Sequence, residues 1–194
     1  MLFRSYQAAI SKGQHEFPEG LFFGGKAPTW SNLTLRSVLQ KYGQSCQKLA
    51  WIDLHTGLGP SGVGERIFAC ADDAAAYQRA KAWWGQGITS IYDGSSSSPM
   101  LTGLMWMAAY QECRQAQYTG IALEYGTQPP DKVLYALRGD HWLQGHPEAP
   151  EALKKQIKQD LMDAFYVDTD EWRTQIVDQA MEAMHQAVTG LDTP

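Results

Sequence analysis

The residues best suited to chemistry fall in two short stretches. Asp53-Leu54-His55-Thr56-Gly57-Leu58-Gly59 puts a histidine directly after an apolar run, Leu49 to Leu54, and at the mouth of a glycine-rich segment. A neutral imidazole in that position suits zinc. Asp53 shares the face of His55 in a period-two strand, so it can orient a metal ligand from behind. The same pattern also fits a structural histidine hydrogen-bonded to the loop. The second stretch, Gly120-Ile121-Ala122-Leu123-Glu124-Tyr125-Gly126-Thr127, places a carboxylate near the end of another apolar run. Burying a carboxylate disfavours its charge and raises its pKa, which fits it to act as a general base on water. A glutamate that simply reaches solvent from a strand end has the same local sequence.

Apolar periodicity gives the elements that hold these groups. Leu49–Leu54 and Tyr118–Tyr125 have the continuous apolar character of strands buried on both faces. Ile67–Cys70 and Ile88–Tyr92 are two further strand candidates, and residues 55–64 read as a glycine-rich loop. Helices are expected over 2–12, from an N-cap at Ser31 to Gly43, and over 73–84, 101–114, 131–144 and 151–165. A last helix follows the capping box Asp168-x-x-Glu171. Strands alternating with helices predict an α/β fold, a three-layer α/β/α sandwich with a mixed, largely parallel sheet. In such sheets ligands bind beyond the carboxyl ends of the strands, which is where His55 and Glu124 fall.

Composition narrows the function classes. The chain has 194 residues, 44% of them hydrophobic and 19% charged, which excludes a mainly disordered chain and fits a single domain over 1–194. The net charge is −5 and no basic run occurs, so nucleic acid and anionic membranes are not expected partners. No apolar stretch approaches the roughly 20 residues of a membrane helix, and no secretory signal is visible. Three cysteines, Cys46, Cys70 and Cys113, without a C-x-x-C pair, exclude thiolate zinc and point to reduced thiols in a cytoplasm. The serine run Ser95–Ser98 reads as a mobile loop. It lacks the G-x-S-x-G elbow of a serine esterase. Trp83 and Trp84 read as helix packing, Arg66 and Arg138 as ion-pairing residues, and His141, His146 and His185 as non-ligands. The glycine loop lacks a Walker lysine, which sets phosphate binding aside.

Taken together, "IDLHTGLGP" and "GIALEYGT" resemble the zinc carboxypeptidase superfamily. The nearest branch is an uncharacterised group of zinc exopeptidase-like proteins beside the succinylglutamate desuccinylases and aspartoacylases. "LFFGGKAPTWSN", "YALRGDHWL" and "EWR" resemble that group. "GITSIYDGSSSS" is similar to the strand and mobile loop that carry a substrate-contacting tyrosine in carboxypeptidases. The resemblance implies that His55 is the third zinc ligand. It also implies that Glu124 takes the proton of the attacking water and passes it to the leaving group, that Tyr92 contacts substrate, and that the substrate is a peptide or an N-acyl amino acid.

One departure is large. The superfamily draws its first two zinc ligands from an upstream H-x-x-E motif, followed by an Asn-Arg pair, and neither occurs in this sequence. The chain therefore resembles the C-terminal half of such an enzyme. A catalytic zinc takes three protein ligands, so zinc binding by this chain alone is expected to be weak or absent. Two readings follow. One is a zinc-dependent amide hydrolase completed by a partner chain or another segment. The other is a non-catalytic remnant or binding module with the same fold and no metal. An unpaired sheet edge, covered by a partner chain or in a homodimer, is expected under either.

Overall fold

The computed structural model describes residues 12–193; the helix expected over 2–12 lies almost wholly outside them. Three strands form one mixed sheet in the order β1-β3-β2. β1 (Lys48–Ser61) runs parallel to β3 (Gln117–Gly126), and β2 (Gly64–Phe68) runs antiparallel to β3 on its other side. The fold is α/β, as the alternation of elements predicts; one of its two strand pairings is parallel.

The register sorts the strands into two faces, because paired residues point the same way and neighbours alternate. Ile121, Leu123, Tyr125 and Phe68 share one face. It is covered by α2 (Ala74–Trp84) and α6 (Asp170–Leu191). The Tyr125 hydroxyl donates to the Ile176 carbonyl at 2.9 Å, and the indole Nε1 of Trp84 to that of Ala183 at 2.9 Å. Ile121 and Leu123 are essentially inaccessible, each worth about 1.5–3 kcal/mol of burial. Trp84 is thus core, as its place in a helix predicts, and Arg66 is structural. Arg66 donates to the Trp84 carbonyl at 2.6 Å and pairs with Glu182 at 3.0 Å.

On the other face, Leu49 and Trp51 pack against Leu39, Ala108 and Cys113. These come from α1 (Trp30–Val38), the π-helical turn that continues it over Leu39–Gly43, and α3 (Met107–Glu112). Helices thus lie on both faces of the sheet. α4 (Pro130–Gln144) and α5 (Glu151–Phe165) follow β3 and pack on each other through Val133, Ala136 and Ala164.

Four local expectations shift, each for a physical reason. The N-cap of α1 is Thr29, whose backbone is extended and whose hydroxyl accepts the Asn32 N–H at 3.3 Å, in place of Ser31. Thr169 likewise caps α6 where Asp168 was expected. α3 starts only at Met107, after Gly103 takes a left-handed φ of 72°. Ile88–Tyr92 is not a strand. Thr89 makes a lone bridge to Ile67, and the next N–H, that of Ser90, donates to the Ser95 hydroxyl instead of a ladder partner.

The segment expected as a glycine-rich loop matters most for the site. β1 continues through it to Ser61, with an irregularity between Thr56 and Ser61, and then crosses over the carboxyl end of β3 to reach β2. Gly62 N–H donates to the Gly126 carbonyl at 3.1 Å, and Gly126 N–H to the Val63 carbonyl at 3.2 Å. The approach is so close that a Cβ on Gly126 would lie 2.0 Å from the Pro60 carbonyl oxygen. Gly59, at φ 93°, supplies a conformation that L side chains rarely adopt.

Candidate active site

His55 and Glu124 are register partners on β1 and β3, so their side chains leave the sheet on the same face. Neighbouring strands are about 4.8 Å apart, which makes the two residues immediate neighbours. Asp53 lies two residues before His55 on that face. Its Oδ2 is 3.0 Å from His55 Nε2. The contact holds the imidazole through Nε2 and leaves Nδ1 without a partner among the described residues. The Asp53 hydrogen bond raises the His55 pKa against the opposing effect of burial, and the nearby Glu124 charge adds to the rise.

Glu124 is 8% exposed, beneath the crossing segment. Its Oε1 accepts the Leu58 N–H at 3.1 Å. Burial pushes its pKa up; the Leu58 bond and His55 pull it down, the Glu65 and Asp53 charges add to the rise, and the net shift is upward. A carboxyl group held above its usual range beside an imidazole can exchange a proton with water near neutral pH more readily than an exposed glutamate.

Residues 3–179 match the model of a family described as protein of unknown function (DUF2817). The chain belongs to that family. No curated protein and no solved structure matches it.

In this DUF2817 chain the structure brings together His55, Glu124 and Asp53, and it does not bring Tyr92 to them. The Tyr92 hydroxyl donates to the Cys70 carbonyl at 2.8 Å, and its ring packs edge-on against Phe68 at 6.3 Å. Phe68 and Cys70 lie at the end of β2 away from Glu65, whereas Glu65 is the residue paired with Glu124. The structure therefore places the Tyr92 side chain against Phe68 and Cys70, away from Glu124, and not where a substrate contact beside His55 was expected. The serine run bonds Asp93, Glu65 and nearby backbone rather than an imidazole, which gives no support to a serine nucleophile.

Sequence reasoning missed two participants. Leu58 contributes only a backbone N–H, which no residue type signals. Glu65 is the register partner of Glu124 from the other side, completing a row His55–Glu124–Glu65 across the sheet. Burial acts to raise the Glu65 pKa, but hydrogen bonds from Ser97 and Thr89 outweigh it and hold the carboxylate below its usual range. In the sequence Glu65 is marked only as a charge two residues before the apolar run Ile67–Cys70. A separate cavity of about 810 Å³ is lined by Arg138, His141, Trp142, His146 and loop 18–23; neither His55 nor Glu124 lines it.

Among the described residues no three His, Cys, Asp or Glu side chains form a metal-holding group. Among the same residues His55 keeps one ring nitrogen without a partner, and Asp53 is turned toward the other. These residues alone do not fit a catalytic zinc, which takes three protein ligands. No helix among the described residues is long and apolar enough to cross a membrane.

Proposed function

We propose that the chain carries the proton-handling side of an amide hydrolase of the zinc carboxypeptidase type. On this reading Glu124 is the general base and acid, and His55 is one ligand of a zinc whose other ligands come from a partner chain or another segment. What supports the reading is the pairing of a buried, hydrogen-bonded glutamate with a half-exposed histidine in one register position at the carboxyl ends of the parallel strands. The sequence resemblance to that superfamily adds to it.

The Leu58 N–H fixes one Glu124 oxygen and leaves the other to accept a proton from the attacking water. Glu124 then returns that proton to the amine released from a peptide or N-acyl amino acid. A proton-transfer group of this kind contributes roughly a hundredfold to ten-thousandfold in rate. Asp53 sets the ring angle and tautomer of His55 through Nε2, which leaves Nδ1 as the donor atom.

The roles separate under zinc titration followed by NMR of the imidazole resonances. His55 is expected to shift first, in weak exchange that dialysis reverses. The response disappears in His55→Ala and persists in Glu124→Gln. Zinc that perturbs other histidines and leaves His55 untouched contradicts the proposal.

A further inference from the structure

We propose that Glu65 is a positioning residue that fixes segment 95–98 as a wall on the β2 side of Glu124. The proposal rests on the hydrolase reading for its purpose, but its geometry stands apart from that reading. Glu65 faces Glu124 directly across the antiparallel pair, on the same side of the sheet. Two carboxylates so placed repel each other, and a partly buried one is retained at a cost unless donors satisfy it.

Here the donors come from one segment and its root. Thr89 Oγ1 donates to Glu65 Oε1 at 2.5 Å, the Ser97 N–H donates to the same oxygen at 3.0 Å, and the Ser97 hydroxyl donates to Oε2. The segment is tied at its other end as well. The Ser90 N–H donates to the Ser95 hydroxyl at 2.9 Å, and the Ser96 N–H donates to the Ser90 carbonyl at 3.2 Å. Thr89 is itself bonded to β2, donating to the Arg66 carbonyl at 3.0 Å and accepting from Phe68 at 2.8 Å. A closed circuit runs from β2 through Thr89, Ser90 and the serine run back to β2 at Glu65. The serines suit this circuit, because small side chains with donors allow the chain to fold onto a carboxylate without crowding it. The run expected to be a mobile loop is thereby held beside the site.

Hydrogen exchange and carbodiimide labelling of carboxyl groups, both read by peptide mass spectrometry, test this without a substrate. In Glu65→Ala the exchange of the Ser97 amide is expected to rise tenfold or more, and labelling of Glu124 to rise severalfold. Amides of 118–123 should keep their protection, which separates loss of the wall from loss of the fold. Glu65→Gln retains Oε1 as acceptor and should restore much of the protection. Protection of Ser97 unchanged in Glu65→Ala overturns the anchoring. Lost protection with unchanged Glu124 labelling overturns the wall. Glu124→Gln serves as the control: its Ser97 exchange should equal that of the wild type. Turnover unaffected by Glu124→Gln would remove the hydrolase reading while leaving the Glu65 result intact.

Discussion

Gly126→Ala tests whether the crossing of 57–63 over β3 builds the site. The added Cβ would lie 2.0 Å from the Pro60 oxygen, 2.2 Å from the Pro60 carbonyl carbon and 2.3 Å from the Gly59 oxygen. All three are backbone atoms, so no side-chain rotation relieves the clash. The crossing segment must retreat by on the order of 1 Å, an overpacking that costs about 1–3 kcal/mol. The retreat strains the two bonds that join the segment to Gly126: Gly62 N–H to its carbonyl at 3.1 Å, and its own N–H to Val63 at 3.2 Å. Losing one or two adds about 1 kcal/mol each, for a total of about 2–5 kcal/mol. For a domain of this size that is a fall in Tm of roughly 4–20 °C. Urea and thermal unfolding measure it, and hydrogen exchange at Leu58 reports the site directly. The Leu58 amide should lose protection together with the fall, because the same segment carries it to Glu124. A variant within about 0.5 kcal/mol of wild type, the range of an ordinary surface substitution, with Leu58 still protected, would show that the crossing does not build the site.

Gly139→Ala should act in the opposite direction. Its position is interior to α4, and its Cβ would stand 3.6 Å from Ile157 Cγ2 of α5, an ordinary contact, so helix propensity dominates and stability should rise by about 0.5–1 kcal/mol in chemical unfolding. A loss of stability would show that α4 and α5 pack more tightly there than described. Glu124 gives a pH dependence. Because burial raises its pKa in the folded chain, the native state binds this proton more tightly than the unfolded one. Its contribution to stability is therefore complete below the unfolded-state value and is lost as pH rises through the folded one. Glu124→Gln should unfold at a higher temperature than wild type at neutral pH, with the gap closing toward pH 4; a gap that widens on acidification counts against the burial argument.

Much of this architecture was legible because long apolar patterns carry it. The helix expected over 151–165 is α5 to the residue, and the two strands holding His55 and Glu124 were visible as apolar runs. Where the reading failed, side chains or glycines had taken over backbone roles. The Ser90 N–H turned to a serine hydroxyl, which ended a strand its apolar residues promised. Residues 57–61 stayed within β1 although their composition is that of a loop. Glu65 and Leu58 emerged only from register and crossing geometry, because neither a lone acid nor a backbone amide leaves a periodic trace. Tyr92 shows the converse: a residue matched to a role by resemblance was placed by its hydroxyl bond to Cys70.

If Glu124 moves a proton at a site where His55 holds metal, turnover decides it. An N-acyl amino acid and blocked-dipeptide panel is offered to the protein purified from its native cells with whatever accompanies it, at full zinc occupancy, for wild type and Glu124→Gln. Zinc content should be equal and the Glu124→Gln rate lower by roughly a hundredfold or more, since the amide keeps the Leu58 bond but cannot take the proton. Wild-type rates in Glu124→Gln, or no hydrolysis by the zinc-loaded protein, would remove Glu124 from that role.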